Sequence, residues 1–379
     1  MPTIGVLRET GAGERRVALT PEVAARLIRD GYPVIVEAGA GGAAWFGDEE
    51  YRTAGARVGE RKEVYADSDV LLGLAVPADV ELAHAGQTLI GLLRLVSDPA
   101  AAQRLATAGV VAADLELLPR TLPRAQAMDA LTSQANVAGY KAAIVAAETY
   151  GGYFPMLMTA AGTTRPAQVL VLGAGVAGLQ AIATARRLGA MVTAYDVRAE
   201  AHADIVSTGA AVLDLGPVTV PSAGGYAREL DAAETGAQQR ALLAAVARFD
   251  VVITTAQVPG RRPPVLVPAA AVAAMGAGSV LVDLAASPLG GNVEGSVPGA
   301  STVTAGGVTV VGAGDLAASV PRAASTAYAR NVLAVLSCLF PAGGGTPDPG
   351  DEVVAGLVVT RDGEIVHPRV RALLSEVPS

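Results

Sequence analysis

Cysteine is almost missing from this sequence. Cys338 is the only one in 379 residues, which excludes an internal disulfide and a zinc cluster built on cysteine. Cys338 itself is expected on the buried face of a helix. Lysine occurs only at Lys62 and Lys141, and histidine only at His84, His202 and His367. His84 and His202 are expected in helices and His367 near the C-terminus, all in surface or structural roles. No catalytic Cys–His pair and no metal-ligand cluster can be assembled from these residues. Aromatic residues make up 4% and charged residues 17% of the chain. The net charge of −8 leaves no basic stripe to neutralise phosphates, which argues against nucleic acid. No uninterrupted apolar run reaches the roughly 18–20 residues of a membrane span. The N-terminal MPTIGVLRETGAGERR has no apolar signal core. These absences predict a cytoplasmic protein without direct membrane insertion.

What is present is alanine, glycine and alternation. Half of the residues are hydrophobic, and the length allows two domains with separate cores. That apolar bias predicts a surface partly covered by partners, such as another copy of the chain. Thr3–Leu7, Pro33–Glu37, Asp69–Leu74, Thr88–Leu93 and Val110–Leu117 read as strands. Thr20 is expected to cap a helix with Pro21 in its first position. Ala38–Gly47 reads as a glycine-rich turn region, and Pro99–Ala108 as a helix. Such alternation predicts a parallel α/β sheet. The fold class expected is α/β, with two Rossmann-like domains of mostly parallel sheet linked by long helices. Residues 1–130 with 320–379 would form one domain and 131–319 the other. Ser325–Phe340 is read as a helix returning to the first domain, and Val353–Val366 as a closing hairpin through Arg361-Asp362-Gly363.

The most informative stretch is Gln168–Asp196, QVLVLGAGVAGLQAIATARRLGAMVTAYD. A strand-like run, Val169–Leu172, leads into Gly173, Gly175 and Gly178 in the spacing G-x-G-x-x-G. A breaker-free helix to Leu188 follows, then a second strand, Met191–Tyr195, and Asp196. Gly173 permits a tight turn, Gly175 lets backbone approach a pyrophosphate, and Gly178 lets the helix pack closely. The free N–H groups of the helix, with Val176 and Ala177, face the phosphates. Asp196 is placed to accept ribose hydroxyls, which favours NAD. Its neighbours Val197 and Arg198 join the cofactor set, Arg198 also being a residue type that accommodates a 2′-phosphate. Val251–Thr255 is a buried strand, so Thr254, Thr255, Ala256 and Gln257 lie at the sheet's carboxyl edge, where ligands bind in open α/β sheets. Gly216–Glu234 reads as a long irregular segment of the kind that serves as a lid.

Pro119–Gln134 brings Arg120, Arg124, Gln126 and Asp129 together ahead of a long helix. Arg124 and Asp129 pairing with each other on the surface is an equal reading. A cofactor site is thus strongly written, but an acid/base apparatus is not. Hydride transfer between two nicotinamide rings needs position and exclusion of water rather than a general acid.

Three segments carry a family resemblance: RETGAGERRVALTPE (Arg8–Glu22), PRAQAMDALTSQANVAGYKA (Pro123–Ala142) and Phe154–Ala190. They resemble the NAD(H)-binding component of proton-translocating NAD(P) transhydrogenase, and VVITTAQVPGRRPPVL and SVLVDLAA extend the likeness over nearly the whole chain. The chain stops near VTRDGEIVHP, before any membrane span, like the separate alpha subunit of systems whose membrane parts are other polypeptides. The resemblance implies a homodimer peripheral to the inner face of the cell membrane. It would pass hydride from NADH to NADP⁺ held by an NADP(H)-binding partner subunit, coupled to proton translocation by membrane-embedded subunits. By the same resemblance Arg120, Gln126, Asp129 and Thr132 act near the nicotinamide. Asp196 holds the adenosine ribose, Gly225 and Tyr226 belong to a closing loop, and Gln238 lies beside the adenine. One extra residue between Arg120 and Arg124 displaces Arg120 and makes Arg124 an alternative. The run Ser287-Pro288-Leu289 is also one residue longer, and Gln257 replaces an aliphatic residue. Alanine dehydrogenase, the related competitor, should carry a lysine near Ala75, a histidine near Leu93 or Arg94 and an acid near Ser287. None of these is present. A non-catalytic NAD(H)-binding regulator is the other alternative.

Overall fold

The computed structural model describes residues 1–214, 240–257, 262–341 and 348–375, with the backbone of 222–223 and 226–227. It divides into two compact units, Met1–Gln134 with Val320–Ser379, and Ala135–Ser319. Each is an α/β unit built on a mostly parallel sheet. The Ala130–Thr149 helix carries the chain from one to the other.

In the first unit the strands are β1 (Ile4–Val6), β2 (Val34–Glu37), β3 (Arg57–Gly59), β4 (Val70–Leu72), β5 (Thr88–Gly91) and β6 (Val111–Asp114). The sheet is completed by β18 (Val358–Arg361) and β19 (Glu364–Ile365). Their order is β19-β18-β6-β5-β4-β1-β2-β3. β1 to β6 run parallel, and only the returning C-terminal strands are antiparallel. β1, β4 and β5 are apolar runs because helices cover both faces, as parallel sheets require. The Pro321–Leu339 helix buries Tyr328, Val332, Val335 and Leu336 against one face. Pro99–Thr107 buries Ala102 and Leu105 against the other.

The second unit opens with a hairpin of β7 (Leu157–Thr159) and β8 (Gly162–Thr164). Its sheet holds β9 (Gln168–Leu172), β10 (Met191–Tyr195), β11 (Ala211–Val212), β14 (Val251–Thr254), β15 (Val280–Asp283), β16 (Ser301–Val303) and β17 (Thr309–Gly312). A separate pair, β12 (Ser222–Ala223) and β13 (Tyr226–Ala227), is antiparallel, so the segment read as irregular contains a short ladder. The sheet order is β11-β10-β9-β14-β15-β17-β16. β9 therefore has β10 on one side and β14 on the other, which is a topological switch point.

Several expectations need correction. Val353–Val366 is not a hairpin throughout: Glu352–Leu357 is helical, and only β18 and β19 form the hairpin. The Asp351 carboxylate accepts from Val353 N and Val354 N, and this cap turns the valine run into a helix. Val110–Leu117 is strand only to Asp114, whose side chain accepts from Glu116 N and starts a 3₁₀ turn. Thr20 stands at the N-cap position but makes no side-chain cap, and its hydroxyl is buried without a partner. His84 lies outside any helix, at a turn. Cys338 does lie on the Pro321–Leu339 helix, half-buried and packed against the core.

Candidate functional site

At the end of β9 the chain must reverse within three residues to enter the Val176–Arg187 helix. Gly173 makes the turn at φ +102°, a backbone region that side chains rarely adopt. A Cβ there would meet Thr255 Oγ1 at 2.5 Å, and one on Gly178 would meet the Gly173 carbonyl oxygen at 1.8 Å. Those two glycines are demanded by close packing inside the protein. Gly175 differs: among the described residues a Cβ there would meet nothing within 4 Å. Gly175 is also the helix N-cap, and it makes no side-chain cap hydrogen bond to the first turn. The N–H groups that open a helix therefore follow a residue that no described atom crowds on its Cβ side, which fits the diphosphate of a dinucleotide.

The surrounding frame holds this loop in place. Gly173 N donates to Tyr195 O at 2.8 Å, and Thr255 N donates to Leu172 O at 2.9 Å. Thr255 Oγ1 donates to Gly173 O at 3.0 Å. Thr254 is fully buried and donates to Asp283 Oδ1 at 2.9 Å, so it sits beneath the edge rather than on it. Ala256 is held by Asn292, whose Oδ1 accepts from Ala256 N and whose Nδ2 donates to Ala256 O, both at 2.9 Å. Gln257 is exposed and donates to Leu284 O.

Asp196 follows β10 and is 7% exposed. Its carboxylate accepts from Ala174 N at 2.8 Å, from Arg198 N at 2.9 Å, and from Arg198 Nε and Nη2 at 3.0 Å. Burial alone would push this carboxyl up, but the Arg198 and Ala174 hydrogen bonds outweigh it and hold the group below its ordinary value. The carboxylate is thus charged and ties the acid to the glycine loop. Ribose hydroxyls would share it with Arg198. His202, on the following helix, places Nε2 3.1 Å from the Asp196 carbonyl oxygen. Val197 packs partly buried beside the sheet.

In the first unit, Arg120 is partly buried and Gln126 exposed within the 3₁₀ turn Pro123–Met128. Arg124 and Asp129 do not pair with each other. Arg124 makes a bidentate pair with Asp351, 2.7 Å in both bonds. Asp129 accepts from Thr132 N at 2.9 Å and from Thr132 Oγ1 at 2.6 Å, an N-cap arrangement at the start of the Ala130–Thr149 helix. Gly225 and Gln238 and the Tyr226 side chain lie outside the described residues, as does most of the segment read as a lid.

Sequence reasoning missed three supports of the glycine loop. Asp283 is fully buried and gathers Thr254, Ser296 and the N–H groups of Ala285 and Val293. Asn292 fixes Ala256. Gly139, on the long helix, leaves room for Ala177, whose carbonyl a Cβ would meet at 2.0 Å. An isolated glycine inside a helix was the available signal for the last.

The family described as alanine dehydrogenase/PNT matches twice, its N-terminal domain over residues 5–138 and its C-terminal domain over 142–368. A Rickettsia prowazekii protein named as an NAD(P) transhydrogenase alpha subunit is 39% identical, covering 97% of each chain. Among solved structures, a transhydrogenase from Sinorhizobium meliloti superposes with a TM-score of 0.85. It is 38% identical and covers 97% of this chain and 99% of its own. An L-alanine dehydrogenase gives 0.82 at 27% identity, with 99% of both chains covered.

Proposed function

The chain belongs to the alanine dehydrogenase/PNT family, and from that premise we propose that it is the NAD(H)-binding alpha component of a proton-translocating transhydrogenase. The observation that carries this reading is the end-to-end match to a transhydrogenase alpha subunit, 97% of both chains, together with the open glycine cradle at Gly175. NADH, when bound, supplies the hydride, which passes to NADP⁺ held on a partner subunit. The N–H groups after Gly175 hold the diphosphate, and Asp196 with Arg198 orients the adenosine ribose. Gly225 and Tyr226 belong to a loop that closes over NAD, and Gln238 lies beside the adenine, as the resemblance implies. Arg120, Gln126, Asp129 and Thr132 orient the nicotinamide without moving a proton. A homodimer on the inner face of the membrane, bound to membrane-embedded and NADP(H)-binding subunits, completes the proposal.

The L-alanine dehydrogenase likeness favours a second reading. Ala75, Leu93, Arg94 and Ser287 supply neither amine, imidazole nor carboxylate, so alanine-dependent reduction of NAD⁺ is expected to be nil. The decisive test mixes the protein with the NADP(H)-binding domain of a transhydrogenase. NADH-dependent reduction of an NADP⁺ analogue is expected. NADH binding without that reduction would favour the regulator instead. Within this assay Asp129→Ser separates two roles, since serine keeps a cap but removes the carboxylate. Transfer should slow about tenfold or more with the melting temperature unchanged. An unchanged rate would reduce Asp129 to a helix cap.

A further inference from the structure

The glycine-rich turn between β2 and β3 is a rigid mount for one exposed side chain. Ala44 N and Phe46 N both donate to Gly41 O, at 2.9 and 3.0 Å, and Trp45 N donates to Gly42 O. Ala44 is fully buried and Phe46 nearly so, while Trp45 between them is 61% exposed. It is the only tryptophan of the chain. Trp45 also sits at φ 60°, an outlier for a bulky residue and a common mark of functional loops. The carbonyl of Trp45 accepts from Arg322 Nη1 at 2.8 Å, and the Arg322 guanidinium stacks over Phe46 at 4.5 Å. Arg15 lies 5.1 Å from the centre of the indole ring. An open groove of about 460 Å³ runs from Trp45 along Val320, Ala323, Thr326 and Ala327, with Arg322 and Arg330 on its rim.

The chemistry of this surface is selective. The chain carries a net charge of −8, yet the charged residues lining this groove are Arg322 and Arg330. Among the described residues, Arg15 and Arg322 have no carboxylate partner, and Arg330 has only a loose one, Glu22 at 3.9 Å. The floor is apolar and open, without the convergent polar groups of a small-molecule pocket. Tryptophan and arginine together are the residues that dominate protein interfaces. A two-fold dimer through this patch would set its arginines against their own copies.

We infer that the Trp45 groove docks an acidic segment of a partner subunit, one that places carboxylates beside an apolar side chain. This rests on reading the chain as one component of a multi-subunit transhydrogenase. Trp45 fills an apolar hollow on the partner, and Arg15, Arg322 and Arg330 receive its carboxylates.

The test labels the full chain with 5-fluorotryptophan, which gives a single ¹⁹F resonance because there is one tryptophan. The probe is the purified set of NADP(H)-binding and membrane subunits in detergent. The resonance should move as the complex forms. Arg15→Glu and Trp45→Asn should each weaken association tenfold or more, with NADH affinity unchanged. Asparagine suits the left-handed backbone at this position, so loss of folding is avoided. Raising salt should weaken the unsubstituted complex and the Trp45→Asn complex alike, but Arg15→Glu less. A complex that forms with the resonance unmoved, or with both variants within twofold, overturns this inference and leaves the transhydrogenase reading standing. Loss of self-association in the variants overturns it in favour of a second copy as occupant. Failure of the unsubstituted chain to form any complex overturns both.

Discussion

The two units share a topology and treat its most useful point in opposite ways. In each, the first strand of the sheet has parallel neighbours on both sides, β2 and β4 around β1, β10 and β14 around β9. Each therefore has a switch point where loops diverge. In the second unit a three-residue turn delivers a helix N-terminus there, and Gly175 keeps it open. In the first unit residues 7–20 separate β1 from its helix, which begins with a proline. The edge is filled from within: Glu9 accepts from Leu74 N at 2.6 Å, and Tyr328 donates its hydroxyl to Gly73 O at 2.8 Å. Topology offers the crevice, and a few residues after the first strand decide whether it is a site or a plug.

The contrast between the two units breaks most severely at Gly178. An alanine there meets backbone, not a flexible side chain, so Gly178→Ala should destabilise the second unit by about 3 kcal/mol. Thermal unfolding followed by circular dichroism would show it, and an unchanged melting temperature would mean that the helix does not need this close approach.

Glu9 tests the plug. Burial pushes its carboxyl up to about 7, against a lowering bond from Leu74 N, with Glu14 raising it and Arg16 and Arg61 lowering it. A raised acid binds its proton more tightly folded than unfolded. Its stabilising contribution is therefore complete below about pH 4.5 and is lost as pH rises to 7. Glu9→Gln removes that loss while keeping an acceptor for Leu74. At pH 8 the variant should be about 2–3 kcal/mol more stable than the unsubstituted chain. Parallel pH–stability curves for the two proteins would refute a Glu9 that holds its proton in the folded state.

Asp196→Ala carries the question to the open site. Losing a charged acceptor should weaken NADH binding by about 2 kcal/mol, roughly thirtyfold. Titration calorimetry reads this directly, and unchanged affinity would exclude Asp196 from the ribose site.

How much was legible in the sequence follows from how local each cause is. Gly173, Gly175, Gly178 and Asp196 act within one βαβ unit, so their spacing sufficed to locate the cradle. That Asp196 is already bonded to Arg198 was visible only as an arginine two residues away. Arg124 and Asp351 lie 227 residues apart, and nothing near either names the other. The Glu352–Leu357 helix was read as strand because its valines suit a sheet, although Asp351 before them was a legible cap. The plug at the first switch point needs Tyr328, which arrives with a helix from the far end of the chain.

Everything proposed for the second unit rests on Gly175 being open for a ligand rather than for packing. Its φ of −76° suits any residue, and among the described residues nothing stands within 4 Å of a Cβ there. The direct test is Gly175→Val, with NADH binding and thermal unfolding measured on the same protein. An open cradle predicts an unshifted melting temperature and NADH affinity reduced at least a hundredfold. Unshifted melting with full NADH affinity would contradict it.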